Sequence, residues 1–367
     1  MIKYCCEWEK DKANTWSGTP YHLLKALKRE MDVEDNGFFI NKYRKKILKI
    51  INIKITNTGI VKKRLYNPHL EKINQKKIDC IKANKDDKIF QIFDLGISKN
   101  KYYIYQDLNI DYLMTLKKTD IDAFRYSGFE KYPDEDFVLR KKTQDRIYED
   151  AEGIFTMSQF LADHLVEYSK IPESKVHCVG AGINVNINNI KNYSKNNNRI
   201  LFVGRDFYRK GGDIVVEAFN IIRNKYNKKI ELYIAGPDIN TISKYNEDGI
   251  YLLGNLSYDK LSYYFNICDI FCMPSRFEAY GIAFIEALCY GLPCIGRNKF
   301  AMKEIINNNY NGYLIENDNS EILALKIMDL LENEKIKNNV KKEYSNYIEK
   351  YSWDSVAKKI KNVLNKC

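Results

Sequence analysis

The chain has 367 residues, 45% of them hydrophobic, and a formal net charge of +11, enough apolar content for two cores of ordinary domain size. No apolar run reaches the roughly 18 residues of a membrane-crossing helix, and no nucleic-acid-binding motif accompanies the positive charge, so a nucleic acid partner is not expected. Nine cysteines, an odd number, fall mostly in apolar runs (Cys5, Cys6, Cys178, Cys268, Cys272, Cys289, Cys294); this predicts core thiols in a reducing cytoplasm and no zinc knuckle.

The opening "MIKYCCEWEK" brings charges before any apolar stretch forms and does not read as a secretory signal. "IKYCCEW" reads as a strand, "EKDKANTWSGTP" as a polar loop carrying Gly18, and "YHLLKALKREM" as a helix with apolar spacing at Leu23, Leu24 and Leu27. Residues 38–100 alternate short apolar runs with basic loops in no assignable order. "KIFQIFDLG" and "KYYIYQDL" read as buried strands, and residues 137–149 as a charged helix. "AEGIFTMSQFLADHLVEYSKIPESKVHCVGAGIN" reads as strand, Ser158-capped helix, turn and strand. Residues 186–198 are polar and aperiodic, as in a linker. Strands then fall at 199–204, 230–235, 250–253, 269–273 and 292–296, with helices between them, and "YSWDSVAKKIKNVL" is a final amphipathic helix. The expected division is an N-terminal domain at 1–187, a linker at 188–198, a C-terminal domain at 199–345 and a closing helical segment at 346–367. Two tandem α/β halves of this kind place a small-molecule site in a cleft between them.

Two loops carry the chemistry. In "RILFVGRDFYRKGGDIVVEAF" a strand ends at Gly204 and a helix begins near Asp213. Between them stand Arg205, suited to gripping phosphate oxygens, and Lys210, a point charge. The spacing is neither GxGxxG nor a Walker pattern, which weighs against hydride transfer and nucleotide hydrolysis. In "RFEAYGIAFIEALCYGLPCIG", Glu278 and Glu286 stand with seven residues between them, around Gly281 at the start of an apolar helix. The amides of Gly281, Ile282 and Ala283 suit an anion. Carboxylates beside a bound anion need donors, and hydroxyls supply them. An anion flanked by hydroxyls describes a nucleotide sugar.

These motifs together are similar to the C-terminal domain of family-4 glycosyltransferases. "IFTMSQFLADHLVEYSKIPESKVHCVGAGIN", "TWSGTPYHLLKAL", "NNNYNGYLIE" and the last helix extend the resemblance, which covers roughly 1–30 and 145–367. It implies a GT-B architecture: two Rossmann-like domains facing a central cleft, an acceptor-binding N-terminal one and a nucleotide-sugar-binding C-terminal one, with the closing helix crossing back to the N-terminal domain. It also implies retaining, metal-independent transfer of a sugar, without a cofactor, from a UDP- or GDP-type donor to a glycan, lipid-linked or other hydroxyl acceptor, in cell-surface polysaccharide or glycolipid synthesis. On this resemblance Arg205 and Lys210 stabilise the leaving diphosphate, Glu278 contacts the sugar and Glu286 the ribose. Gly18, Gly204, Gly254, Asn255, Leu256, Tyr280, Gly281, Ile282 and Ala283 line the donor, and Asp107 stands as a sugar or acceptor contact beside the alternative of a buried structural Asp. The chain departs from the family in having Tyr280 where Phe is common, Gln106-Asp107 where a His-Asp pair is common, and the single Gly18 where many relatives have two glycines. A nucleotide-sugar epimerase of the same architecture and a non-catalytic sugar-nucleotide-binding subunit are the alternatives.

Between Asp35 and Glu71 lie nine basic residues and no acidic one. The run including Lys42, Arg44, Lys45, Lys46 and Lys49 reads either as a solvated face of a Lys-rich chain or as a contact for anionic membrane or an acidic acceptor, with the protein peripheral on the inner face of the plasma membrane. "DID" (Asp120, Asp122) and "DED" (Asp134, Asp136) follow no apolar strand and read as solvated loops.

Overall fold

The computed structural model describes residues 1–56, 59–61, 64–191, 198–226 and 229–366, the side chains of 55, 56 and 59–61 excepted. Two compact units are formed, one from Met1–Gly182 with Trp353–Cys367 and the other from Ile183–Ser352.

The first unit is built on β1 (Ile2–Cys5), β2 (Val33–Asp35), β3 (Lys88–Ile92), β4 (Tyr102–Gln106), β5 (Gly153–Thr156) and β6 (Val176–Cys178), all parallel, in the order β6-β5-β4-β3-β1-β2. The central strands are mostly apolar, as a sheet covered on both faces requires: Tyr4, Phe90, Tyr103, Ile104 and Phe155 are fully buried. Its helices include α1 (Thr19–Glu30), α2 (Lys42–Ile51), α3 (Pro68–Asp79), α4 (Asp134–Asp150) and α5 (Gln159–Glu167). The Ser158 hydroxyl caps α5, accepting from the amide of Leu161 at 3.2 Å. Residues 38–100, unordered by sequence pattern, contain α2, α3, β3 and a short antiparallel pair, Lys54–Thr56 with Gly59–Val61.

The second unit repeats the plan with β7 (Arg199–Val203), β8 (Glu231–Ala235), β9 (Ile250–Gly254), β10 (Ile270–Cys272), β11 (Cys294–Arg297) and β12 (Gly312–Ile315), parallel, in the order β9-β8-β7-β10-β11-β12. Its helices include α6 (Gly212–Tyr226), α7 (Tyr258–Ile267), α8 (Ile282–Cys289) and α9 (Ser320–Glu332). Residues 183–191 are held within this unit: Asn266 donates to the Asn189 carbonyl at 2.8 Å and accepts from the amide of Lys191 at 2.8 Å.

The last helix, α10 (Trp353–Lys366), belongs to the first unit and packs on α1. Val356, Ile360 and Leu364 on α10 and Leu23, Leu24 and Leu27 on α1 are buried, each contributing about 1.5–3 kcal/mol. Arg29 donates from Nε to Asp354 at 2.9 Å, and Lys361 pairs with Glu30 at 3.3 Å.

Three expectations are corrected. Cys178, read as a core thiol, is exposed, because β6 is an edge strand. "DED" is not a solvated loop: it opens α4, and Asp136 is fully buried, accepting from Arg64 Nε at 2.7 Å and the amide of Leu65 at 2.7 Å. "DID" also begins a helix, Asp120 accepting from the amide of Ala123 at 3.0 Å. Acids from outside the basic segment pair with part of it. Arg64 neutralises Asp136, Lys54 reaches Glu135 at 2.6 Å, and Lys45 pairs with Glu7 at 2.6 Å. Acids distant in sequence fold onto it. Lys62 and Lys63 lie outside the described residues.

Candidate active site

In a parallel sheet ligands bind beyond the carboxyl ends of the strands, where the strand order reverses. In the second unit that reversal falls between β7 and β10: the chain steps from β7 outward to β8 and β9, then returns to the other side of β7. The loops leaving β7 and β10 are the two singled out by sequence.

They are stitched together. The Arg276 amide donates to the Arg209 carbonyl at 2.8 Å, and Arg209 Nη1 donates to the Phe277 carbonyl at 2.9 Å. The Arg276 guanidinium forks onto Asp213 at 2.8 and 2.9 Å, reaches Asp318 at 2.6 Å through Nε, and donates to the Tyr208 carbonyl at 2.5 Å. Burial works to lower its pKa, and the two carboxylates outweigh that and hold it above the usual arginine range. Arg276 was not singled out from sequence as a site residue. A bidentate arginine between two loops needs partners on both, and neither Asp213 nor Asp318 is near it in sequence.

Within this frame Lys210 and Glu278, 68 positions apart, form an ion pair. Both side chains are nearly buried, at 13% and 11% exposure. Burial lowers the Lys210 pKa, and the Glu278 carboxylate opposes that shift. The pair fits because position 204 is glycine: a Cβ there would lie 2.7 Å from Lys210 Cγ. Gly281 takes φ +99° as the residue before α8, a conformation open to glycine, and turns the chain so that Ile282 and Ala283 open the helix. Tyr280 beside it is buried.

Glu286 sits in α8, 4% exposed, with Oε1 accepting from the amides of Asn184 at 3.0 Å and Val185 at 3.3 Å. Burial raises its pKa to about 7, the two amides pulling the other way. Tyr258, at the start of α7, lies close enough to feel both Glu286 and the exposed Arg205. Burial lifts its phenol to about 12, Glu286 adding to the rise and Arg205 opposing it. Tyr258 was missed in the sequence; the helix-capping Ser257 two residues beyond Asn255 was the available signal. Gly254, Asn255 and Leu256 leave β9, where the Gly254 carbonyl accepts from the Gly236 amide at 2.7 Å.

The second unit thus holds Arg205, Lys210, Glu278, Glu286 and the glycines at 204, 254 and 281 at the carboxyl ends of its strands. Gly18 and Asp107 belong to the first unit: Gly18, at φ +83°, precedes α1, and Asp107 follows β4, half-buried. Of the basic set, Lys42, Arg44, Lys46 and Lys49 are exposed on α2, whose inner side is fixed by Leu48 against Phe38 and Ile40. Tyr43, Ile47, Ile50 and Ile51 of α2 are exposed at 82, 57, 56 and 51%.

Residues 186–348 match the family described as glycosyl transferases group 1. Two uncharacterized glycosyltransferases of Methanocaldococcus jannaschii are similar to the chain. One is 28% identical over 69% of this chain and 68% of its own, and the other 26% identical over 94% and 93%. Among solved structures, Anabaena Alr3699/HepE in complex with UDP and glucose aligns with a TM-score of 0.68 over 100% of this chain and 99% of its own, at 14% identity.

Two Rossmann-like units, with a last helix returning to the first, are the GT-B architecture, and the match over residues 186–348 makes the protein a glycosyltransferase that takes its sugar from a nucleotide sugar. That match, to the group 1 glycosyltransferases of family 4, falls within the second unit.

Proposed function

We propose that the second unit binds a UDP-sugar across the β7–β10 reversal and that the enzyme transfers the sugar, with retention, to a hydroxyl of a glycan or lipid-linked acceptor received by the first unit. The observation that carries the reading is the Lys210–Glu278 pair. Two loops distant in sequence deliver a cation and a carboxylate to one point, a cation for phosphate oxygens and a carboxylate for sugar hydroxyls. The UDP and glucose of the Anabaena neighbour support the choice of uridine.

As the bond from the anomeric carbon to the diphosphate breaks, negative charge grows on the leaving oxygen, and preorganised cations there lower the barrier. Lys210 and Arg205 supply them, with the first amides of α8. The acceptor oxygen bonds to the anomeric carbon on the face the diphosphate leaves, and its proton goes to the departing diphosphate. Glu278 accepts from sugar hydroxyls, and Glu286 takes the ribose hydroxyls while its Oε1 anchors the turn at 184–185. In this reading no metal takes part.

The membrane enters through α2. Among the described residues no helix is long and apolar enough to cross a bilayer. The exposed Tyr43, Ile47, Ile50 and Ile51 share one face of α2, flanked by Arg44 and Lys46, the arrangement of a helix lying in an anionic interface. A cytoplasmic protein docked in this way would reach a lipid-linked acceptor in cell-surface polysaccharide or glycolipid synthesis.

The test is turnover of a panel of nucleotide sugars by purified protein, with product anomer read by NMR. Release of UDP from one UDP-sugar, with the sugar transferred in unchanged configuration and undiminished by EDTA, is the expected result. Interconversion of the free sugar nucleotide would make it an epimerase, and binding without turnover a non-catalytic subunit.

A further inference from the structure

A cavity lies in the first unit, lined by none of the residues invoked above for donor chemistry. Strands β3 and β4 are parallel neighbours, yet residues 93–101 alone join them, without the helix that parallel crossovers usually carry. Two glutamines hold this bare crossover in place. Gln91 Oε1 accepts from the amides of Leu95 at 3.0 Å and Gly96 at 3.1 Å, and Gln75 both accepts from the Ile97 amide at 2.9 Å and donates to its carbonyl at 2.7 Å. Between the crossover, α3 and α4 is a cavity of about 380 Å³, within the roughly 300–1,000 Å³ of small-molecule sites.

Three side chains lining it carry a buried polar atom with no partner among the described residues: Glu71 Oε1, Asn74 Oδ1 and Arg140 Nη1. Glu71 and Asn74 are three positions apart on α3 and share a face. Arg140 is fixed by Asp94, which accepts from its Nη2 at 2.6 Å, and Glu71 is steadied by Thr143, whose hydroxyl donates to Oε2 at 3.2 Å. Burial raises the Glu71 pKa, with Arg140 and Thr143 opposing it. Orphaned buried polar atoms are rare because each costs the interaction it lost with water.

The chemistry of the orphans defines a ligand. Two are oxygens that accept and one is an N–H that donates. A group that donates to one neighbour while accepting from another is a hydroxyl, and vicinal hydroxyls answer several such atoms together. The remaining wall is apolar, Leu70, Leu95, Ile97 and Ile147 among it, suited to the C–H face of a pyranose. We infer that this cavity between α3, α4 and the β3–β4 crossover is a binding site for a single pyranose residue, held by Glu71, Asn74 and Arg140 and separate from the nucleotide-sugar site of the second unit.

The inference stands apart from the donor reading, since sugar binding here requires no turnover. Saturation-transfer NMR on the full chain, with excess UDP present, would use free glucose, galactose and N-acetylglucosamine as probes. Saturation should reach at least one of them. Asn74→Leu removes one orphan and narrows the cavity without breaking a described hydrogen bond; it should weaken that sugar at least about tenfold and leave UDP affinity unchanged. Glu71→Gln, which keeps the side chain's shape, should weaken it as well, and decides the question alone if Asn74→Leu fails to fold. Absence of transfer to all three sugars in the wild type, or sugar affinity within about twofold of wild type in the folded variants, would overturn the site.

Discussion

The two units share a topology and differ in what they place at its reversal. In the first, strand order reverses between β1 and β3, and the loops that meet there bring Trp16 against Phe93, ring centroids 4.5 Å apart. Both residues are held at positive φ, 42° and 60°, where non-glycine residues are uncommon and mark functional or strained positions. In the second, the reversal between β7 and β10 carries glycines, a buried ion pair and an arginine fork. Topology fixes where a crevice lies; side chains decide what it takes. A charged, glycine-lined crevice suits a diphosphate, an aromatic one a sugar or a lipid-linked group.

The largest test of this contrast is at the charged end. Lys210→Ala should cut turnover about a hundredfold or more, the usual loss for one transition-state charge stabiliser, and should also lower the melting temperature, because Glu278 is left buried without its partner. Near-native turnover would remove the diphosphate from this crevice. The carboxylates sharpen it. Glu278→Gln should leave UDP affinity nearly intact by calorimetry while transfer falls, whereas Glu286→Gln should weaken UDP itself. Equal loss of UDP affinity in both would abolish the division of roles.

Glu286 also predicts a stability profile. Its carboxyl is raised from an ordinary 4.5 to about 7, so between those values the folded protein keeps a proton that the unfolded chain has released. Its contribution is fully present below about pH 4.5 and is lost as pH rises through 7. Relative to wild type, Glu286→Gln should gain stability on going from pH 5 to pH 8, by up to about 3 kcal/mol, read by denaturant melts; parallel profiles would contradict the burial argument. At the aromatic end, Trp16→Ala should raise acceptor KM several-fold, on the order of 1 kcal/mol, with donor KM unchanged. A donor effect as large as that of Lys210→Ala would dissolve the contrast. A separate test concerns α2. Lys42, Arg44, Lys46 and Lys49 changed together to Gln should weaken co-sedimentation with anionic liposomes at least about tenfold, and salt should do the same to the wild type. Lys45 is spared because Glu7 already neutralises it.

Legibility in the sequence followed the same division. In the second unit β7, β8, β9 and β10 each end at a glycine or a Pro-Ser turn and a helix follows each, so their order and the two loops could be read directly; β12, which lacks such a stop, was not among the expected strands. Which residues meet could not: the Arg276 fork to Asp213 and Asp318 joins positions 63 and 42 apart, and no local pattern encodes such a pairing. In residues 38–100, lysines and asparagines decorate every element alike, and the β3–β4 crossover lacks the helix that would have announced a βαβ unit. Asp136 looked solvated because its partner, Arg64, is 72 positions away.

The return of α10 to the first unit has a consequence for synthesis and engineering. The chain leaves the first unit at Gly182 and rejoins it at Trp353. Those two residues pack so closely that a Cβ on Gly182 would lie 2.5 Å from the indole ring, and next to them the Ile183 amide donates to the Tyr351 carbonyl at 2.9 Å. The second unit is therefore an insertion with adjoining ends. It is the segment that can be cut out whole, while the apolar stripe of α1 waits uncovered on the ribosome until the final helix has been made.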